Sequence, residues 1–497
     1  MTSAASVNLN ESVGSGVESH DDEPASVVSR WNPRLVQALT VMGFGLPLIG
    51  YMWMLGRFSV NVLVGDDWDE VTIIKQSYVH YFDWGQLWVQ HNENRIFFPN
   101  LVVVLIAHTL HYDIHVVEYL GAVMLVAATA FVLVAHKRRS PSTPWLYYCP
   151  VAFLTFSFVQ EGNTLWGFQM AWWMVLLALA TALLLLDRAT LTWLALVGAI
   201  AAAMVGTFSS VQGLLIWPAG LVLCCCRRRV WTQIAVWIAA GVAATALYLH
   251  NYDFSASPLP RFAIQHPLIA VKFFLFLVGD VLGKPVAVGS VNADNTLVVL
   301  FGIIIVALAV GTVLICGFRR DERTGSPIGI ALICFGLLFA VMVTQERSFY
   351  GYGGASFSRY TTFDLLILVG IYLALLGRRP LWHGGVSQAA DHSVFRQPII
   401  RWPTPGHGSG GISGITYRIA VVLMVGVMVV QIPLGFHYGL GAARSFHASQ
   451  VKAAETLRNI DHVSNQKLGS AEFLISPSKI RRQARVLEEH RLSVFNQ

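Results

Sequence analysis

Apolar runs approaching membrane-spanning length recur along the chain, separated by short polar stretches. Runs at 37–57, 114–135, 145–160, 170–187, 191–207, 213–226, 230–249, 296–317, 327–344, 362–377 and 418–436 read as spans. A helix crossing a bilayer needs about 17–25 apolar residues, so the shortest of these are thin. Two further runs, 96–111 and 267–282, are short, and the first carries Pro99. Both read as elements half-inserted from one side. Residues 68–83 alternate apolar and polar faces and carry Trp, Tyr and Phe, as an interfacial amphipathic helix does. The pattern predicts an all-α polytopic membrane protein with about eleven transmembrane helices and two half-inserted or interfacial outer helices. The polar, Ser-rich residues 1–36 read as disordered and 380–417 as a flexible loop. Residues 437–497 form a small polar tail, in which Ser476 and Pro477 open a helix running through Lys479–Glu489.

Composition agrees with this pattern: 55% of residues are hydrophobic and 12% charged, against about 25% charged in soluble domains. Charge then supplies an orientation. Basic clusters stand at alternate span ends: His136–Arg139, Arg188, Arg227–Arg229, Arg319–Arg320 and Arg378–Arg379. The positive-inside rule puts these ends, and the N-terminus with Arg30 and Arg34, in the cytoplasm. This works if 96–111 and 267–282 do not cross. The domains are then a cytoplasmic segment 1–36, a membrane domain 37–436 with a large first outer loop 58–113, and an extracytoplasmic segment 437–497. The net charge of +6 follows the span ends and does not suggest nucleic-acid binding. The six Cys have no metal-ligand spacing. Cys224–Cys226 read as small apolar fillers at a helix end, with acylation as the alternative.

The same orientation gathers most polar clusters on the outer side. The first is Asp66, Asp67, Asp69 and Glu70. Carboxylates here suit a helix N-terminus, as caps or third-position partners. They also suit a general base that takes a hydroxyl proton as a bond forms, with Asp66 or Asp67 as the base and Asp69 and Glu70 as supporting carboxylates. The second knot holds His91, Glu93 and Arg95, either a polar helix start with a snorkelling Arg or contacts to a sugar or phosphate. Arg347, Arg359 and Tyr360 flank a Gly- and aromatic-rich loop. They are span-start anchors or a clamp for phosphate, which a guanidinium meets with two hydrogen bonds. Glu161 and Gln169 are further candidates for sugar hydroxyls, and the Trp residues beside them serve as interfacial anchors or stackers. No P-loop, GxSxG elbow or HExxH motif occurs.

In its span count, its large first outer loop and Asp66-Asp67 within that loop, the chain resembles the GT-C superfamily of membrane glycosyltransferases. The resemblance implies a polyprenyl-phosphate sugar as donor and a glycan, lipid or protein hydroxyl as acceptor. It also implies transfer of a hexose or pentose with inversion at the outer face of a bacterial cytoplasmic membrane. Asp66 or Asp67 would be the base and Arg359 or another outer-loop cation the phosphate partner. No cofactor is obligatory, and a divalent cation is left open. The competing reading is a transporter or flippase of lipid-linked sugars, which would place charged residues within spans near the midplane.

Overall fold

The computed structural model describes residues 32–79, 81–254, 261–284, 295–317, 326–378, 412–470 and 475–496. The expectations for residues 1–31, Arg319–Arg320 and 380–411 lie outside them. In chain order the main elements are α1 (Pro33–Phe58), α2 (Asp67–Ser77), a hairpin of β1 (Gln90–His91) and β2 (Asn94–Arg95), α3 (Phe97–Leu110) and α4 (Ile114–Arg139). Then follow α5 (Met170–Leu186), α6 (Trp193–Thr207), α7 (Ile216–Cys226), α8 (Trp231–Leu249), α9 (Pro267–Gly279) and α10 (Thr296–Gly317). The last are α11 (Ser326–Arg347), α12 (Thr361–Gly377), α13 (Ile412–Arg458), α14 (Asn465–Ser470) and α15 (Pro477–Glu489).

The chain is an all-α polytopic membrane protein. Eight helices among the described residues are long and apolar enough to cross a bilayer. They are α1, α4, α5, α8, α10, α11, α12 and α13. The expected half-inserted runs are helices of 14 and 13 residues, α3 and α9, too short to span alone. Two expected spans, 191–207 and 213–226, form the shorter apolar helices α6 and α7. The expected span 145–160 is corrected. It is a 3-10 turn, a seven-residue helix Cys149–Thr155 and a second 3-10 turn at Phe158–Gln160. The helix stops where Ser157 leaves helical geometry and its side chain accepts from Val159 N, which competes with helix continuation. α13 runs unbroken for 47 residues, about 70 Å at 1.5 Å per residue, and carries Pro433 within it.

Packing explains which helices are central. α12 is almost wholly buried, whereas α1, α8 and α13 leave apolar side chains such as Val41, Ile49, Val242 and Val422 exposed, as lipid-facing helices do. Trp172 stacks on Phe363 at 5.2 Å, and Phe339 meets Phe363 edge-on at 4.9 Å, binding α5, α11 and α12 together. α13 passes against Phe158 and Val159 at Gly439, where a Cβ would come within 2.3 Å of the Phe158 backbone. A second core lies at the first-loop end of the bundle. It joins Trp68, Val71 and Ile74 of α2 to Leu457, Leu468, Ile480 and Leu487 of the C-terminal segment.

At the opposite end the basic clusters converge. Asp187 takes Arg227 at 2.5 Å and Arg139 at 3.5 Å, and Arg229 donates to Leu186 O at 2.6 Å. Asp187 and Arg227 are both buried. An Asp187→Ala variant leaves that guanidinium without its carboxylate and should cost about 3–5 kcal/mol. A lowered melting temperature in detergent is the check, and an unchanged one would show that the Arg cluster is held by its backbone contacts.

Candidate functional site: a polar cavity at the first-loop end

Gly65, at φ +54°, turns the chain into α2 through a region that favours glycine. The four carboxylates that follow separate in space. Asp66 holds the N-cap position but makes no side-chain cap bond, so its carboxylate faces the cavity that it lines. Asp67 is buried. Its Oδ2 accepts from Val64 N at 2.8 Å and its Oδ1 from Phe168 N at 2.7 Å. Glu70 is buried too and accepts from the Tyr112 hydroxyl. Asp69 pairs with Lys479 of α15. The expectation that Asp67 shares the active face therefore meets a different arrangement: its carboxylate ties the first loop to the start of α5 and does not line the cavity. The structure shows no side-chain cap from Asp66, and Asp67 captures a preceding amide.

Burial pushes the Asp67 carboxyl up to about 8, against two amide hydrogen bonds that favour the charged form, with the Asp66 charge pushing upward as well. Burial, and then the Asp67 charge, hold Glu70 well above the usual carboxyl range. Both groups bind protons more tightly folded than unfolded. The Asp67 contribution is complete below about pH 4, the unfolded value, and is lost as pH rises through about 8, and Glu70 acts in the same direction. The melting temperature should therefore fall between about pH 5 and about pH 9, and Asp67→Asn should flatten that slope. Asp67→Ala strands two buried amides and should cost about 2–5 kcal/mol.

The second polar knot is a β-hairpin, not a helix start. Gln90 pairs with Arg95 and His91 with Asn94, and Asn92 takes φ +50° in the turn, as hairpin turns of this kind require. Asn94 Oδ1 seats the hairpin by accepting from Ser210 Oγ at 2.8 Å and Val211 N at 3.0 Å. Arg95 is buried, and its guanidinium donates to the carbonyls of Tyr248, Trp88 and His250 at 2.8, 2.8 and 2.6 Å. It lies outside the cavity and fastens the hairpin to the end of α8. The snorkelling and ligand-binding alternatives for Arg95 both give way to this staple. The hairpin tip carries Glu93 to Arg347, 2.6 Å away.

The cavity enclosed by these elements has a volume of about 500 Å³. It brings together Asp66, His91, Glu93, Gln169, Arg347, Arg359 and Tyr360 from the sequence-derived candidates. Asp67, Asp69, Glu70, Arg95 and Glu161 do not line it. Glu161 is buried behind the wall beside Ser358, and burial pushes its carboxyl up to about 8. It belongs to a polar support for Arg359. There Gly162 N donates to Ser358 Oγ at 3.2 Å, and Asn163 Nδ2 donates to Arg359 O and Thr362 Oγ1, both at 2.7 Å.

Arg359 is the unusual cation. Its guanidinium stands 5.1 Å from the Phe357 ring, 5.3 Å from Tyr360 and 5.8 Å from Trp166. Nε is buried without a hydrogen-bond partner, and no carboxylate among the described residues lies within ion-pair distance of it. A cation held by aromatic faces with unmet donors is a ready anion site. His91 lies 3.9 Å from Asp66 and 3.7 Å from Asp69. These three groups offer ligand atoms within 4.8 Å of one another and could hold a divalent ion, although the Lys479 ammonium already serves Asp69. Sequence reasoning missed Glu346, Gln212 and Asn94, which also line the cavity. Glu346 and Gln212 belong to polar clusters visible in the sequence, but composition does not show which member of a cluster faces inward.

No known protein-family profile matches this chain, and no curated protein matches it. Among solved structures, ArnT from Cupriavidus metallidurans bound to undecaprenyl phosphate is similar over 92% of this chain and 89% of its own. The identity is 14% and the TM-score 0.44. A likeness of that size carries no functional argument, so chemistry has to come from the cavity itself.

Proposed function

We propose that this protein is a membrane-embedded glycosyltransferase of the GT-C type. It moves a hexose or pentose from a polyprenyl-phosphate donor to a hydroxyl acceptor. The observation that carries the reading is a single one: a cavity-facing carboxylate, Asp66, shares one cavity with a guanidinium, Arg359, that has no counter-ion among the described residues. One can take a proton and the other can receive a phosphate.

In this reaction the acceptor hydroxyl gives its proton to the Asp66 carboxylate as its oxygen attacks the anomeric carbon. The bond from that carbon to the phosphate oxygen breaks. Both bonding electrons leave with the polyprenyl phosphate, whose new charge Arg359 neutralises. Attack opposite the leaving phosphate inverts the anomeric centre. No obligatory metal or other cofactor enters the scheme. The positive-inside pattern supports a cavity and C-terminal segment on the outer side and an N-terminus in the cytoplasm, and the GT-C reading implies a bacterial cytoplasmic membrane. Glycan, lipid and protein hydroxyls all remain in the acceptor class.

The test is transfer by the purified full chain in proteoliposomes, supplied with polyprenyl-phosphate sugars and an envelope extract as acceptor. Sugar incorporation matched by release of polyprenyl phosphate is expected. Movement of intact lipid-linked sugar across the bilayer without release would replace this reading with a flippase.

A further inference from the structure

The polar atoms left unmatched in the cavity wall are of two unequal kinds, and their division describes the ligand. On the Arg359 side the unmatched group is a donor, Nε. Elsewhere in the wall the unmatched groups are acceptors. Gln169 is 2% exposed and lines the cavity, and its Oε1 has no hydrogen-bond partner. Glu346 lines the same cavity, and its carboxylate makes no hydrogen bond or ion pair among the described residues. Its neighbour in sequence, Arg347, spends Nη2 on Glu93. A buried acceptor without a donor is costly, and the half-buried Glu346 carboxylate also gains from a donor. A bound molecule that presents O–H groups there supplies both.

Resting on the glycosyl-transfer reading, we propose that Glu346 and Gln169 select the transferred sugar as one that presents hydrogen-bond donors there and carries no carboxylate, and that Glu346 is the specificity-determining residue. Glu93 and Glu346 place two carboxylates in the wall against a single adjacent guanidinium. A carboxylate-bearing sugar, a uronate, would bring a third negative charge beside them. An acylated sugar would bring acceptors to meet acceptors. An ammonium, like a hydroxyl, can donate to Glu346 and Gln169. A hydroxyl donates to Glu346 and Gln169 without any of these conflicts. The phosphate goes to Arg359, which sets the anomeric end of the sugar there.

The experiment compares three synthetic polyprenyl-phosphate donors that differ at one sugar position: a hexose, its hexuronate and its amino-hexose. The wild-type full chain in proteoliposomes is set against Glu346→Gln and Gln169→Ala. The hexose is expected to exceed the hexuronate in kcat/KM by about 100-fold. Glu346→Gln should shrink that ratio by about 10-fold or more, lowering hexose use while raising hexuronate use. A merely structural loss would lower both donors alike. Gln169→Ala should raise the hexose KM without changing the charge preference. An unchanged ratio in Glu346→Gln overturns the inference, as does a wild-type preference for the hexuronate over the hexose and the amino-hexose. In either case transfer itself still stands. Failure of the wild type to use any of the three donors would instead sink the glycosyl-transfer reading beneath it.

Discussion

An Asp66→Asn variant should lose transfer by about 10²–10⁴-fold, the range for removing a positioned general base, while its melting temperature stays near wild type. The two halves of that expectation have separate causes. Asp66 is the member of the acidic motif whose carboxylate lines the cavity, so replacing it removes the proton acceptor. It also makes no cap bond, so the isosteric amide breaks nothing that holds α2. The check is single-turnover transfer from a radiolabelled donor, run beside a thermal melt. Undiminished transfer would remove Asp66 from the role of base. Asp67 gives the contrast. Its replacement should act first on stability, because its two oxygens hold Val64 N and Phe168 N.

Arg359→Ala should weaken the donor by about 30- to 100-fold, the scale of one strong charge-assisted contact to phosphate. The backbone at this position is held by Asn163 Nδ2 on Arg359 O, so the loop should survive loss of the side chain. Arg359→Lys should recover only part of the affinity. An ammonium keeps the charge but lacks the planar fork, and it fills the space between Trp166, Phe357 and Tyr360 poorly. Inhibition by free polyprenyl phosphate measures the effect directly. If that inhibition is the same in wild type and Arg359→Ala, the phosphate sits elsewhere.

The sequence pattern revealed the helical class and the polar side of the chain, because hydrophobic runs and basic stubs are one-dimensional signals. It also brought Asp66, Glu93 and Arg359 to one end of the bundle before any coordinates. What it lacked was direction. Asp66 and Asp67 are equivalent in a string, yet Asp67 is claimed by the amide of Phe168, 101 residues away. Arg95 looked like a ligand group because nothing local satisfies it. Its partners are carbonyls at Tyr248 and His250, in a helix end far along the chain. The hairpin was missed because two residues per strand are too few to show a period of two. The 145–160 run is mostly apolar, so its break at Ser157 depends on side-chain bonding that hydropathy does not record. Glu346 was passed over in favour of the adjacent Arg347, although both belong to the cavity.

The unbroken α13 gives the C-terminal segment a defined rotational phase relative to the membrane. α15 reaches Asp69 and Thr72 only because the helix that leads to it arrives at Arg458 facing the right way. One residue inserted near Gly441 would turn everything beyond it by about 100° and raise it by about 1.5 Å. The pairing of Lys479 with Asp69 would then be lost without any change to a residue of the cavity. Four inserted residues, close to a full turn at about 400°, would nearly restore the facing at the cost of about 6 Å in height. In this protein the height at which Lys479 meets Asp69 is set by a count of residues along one helix.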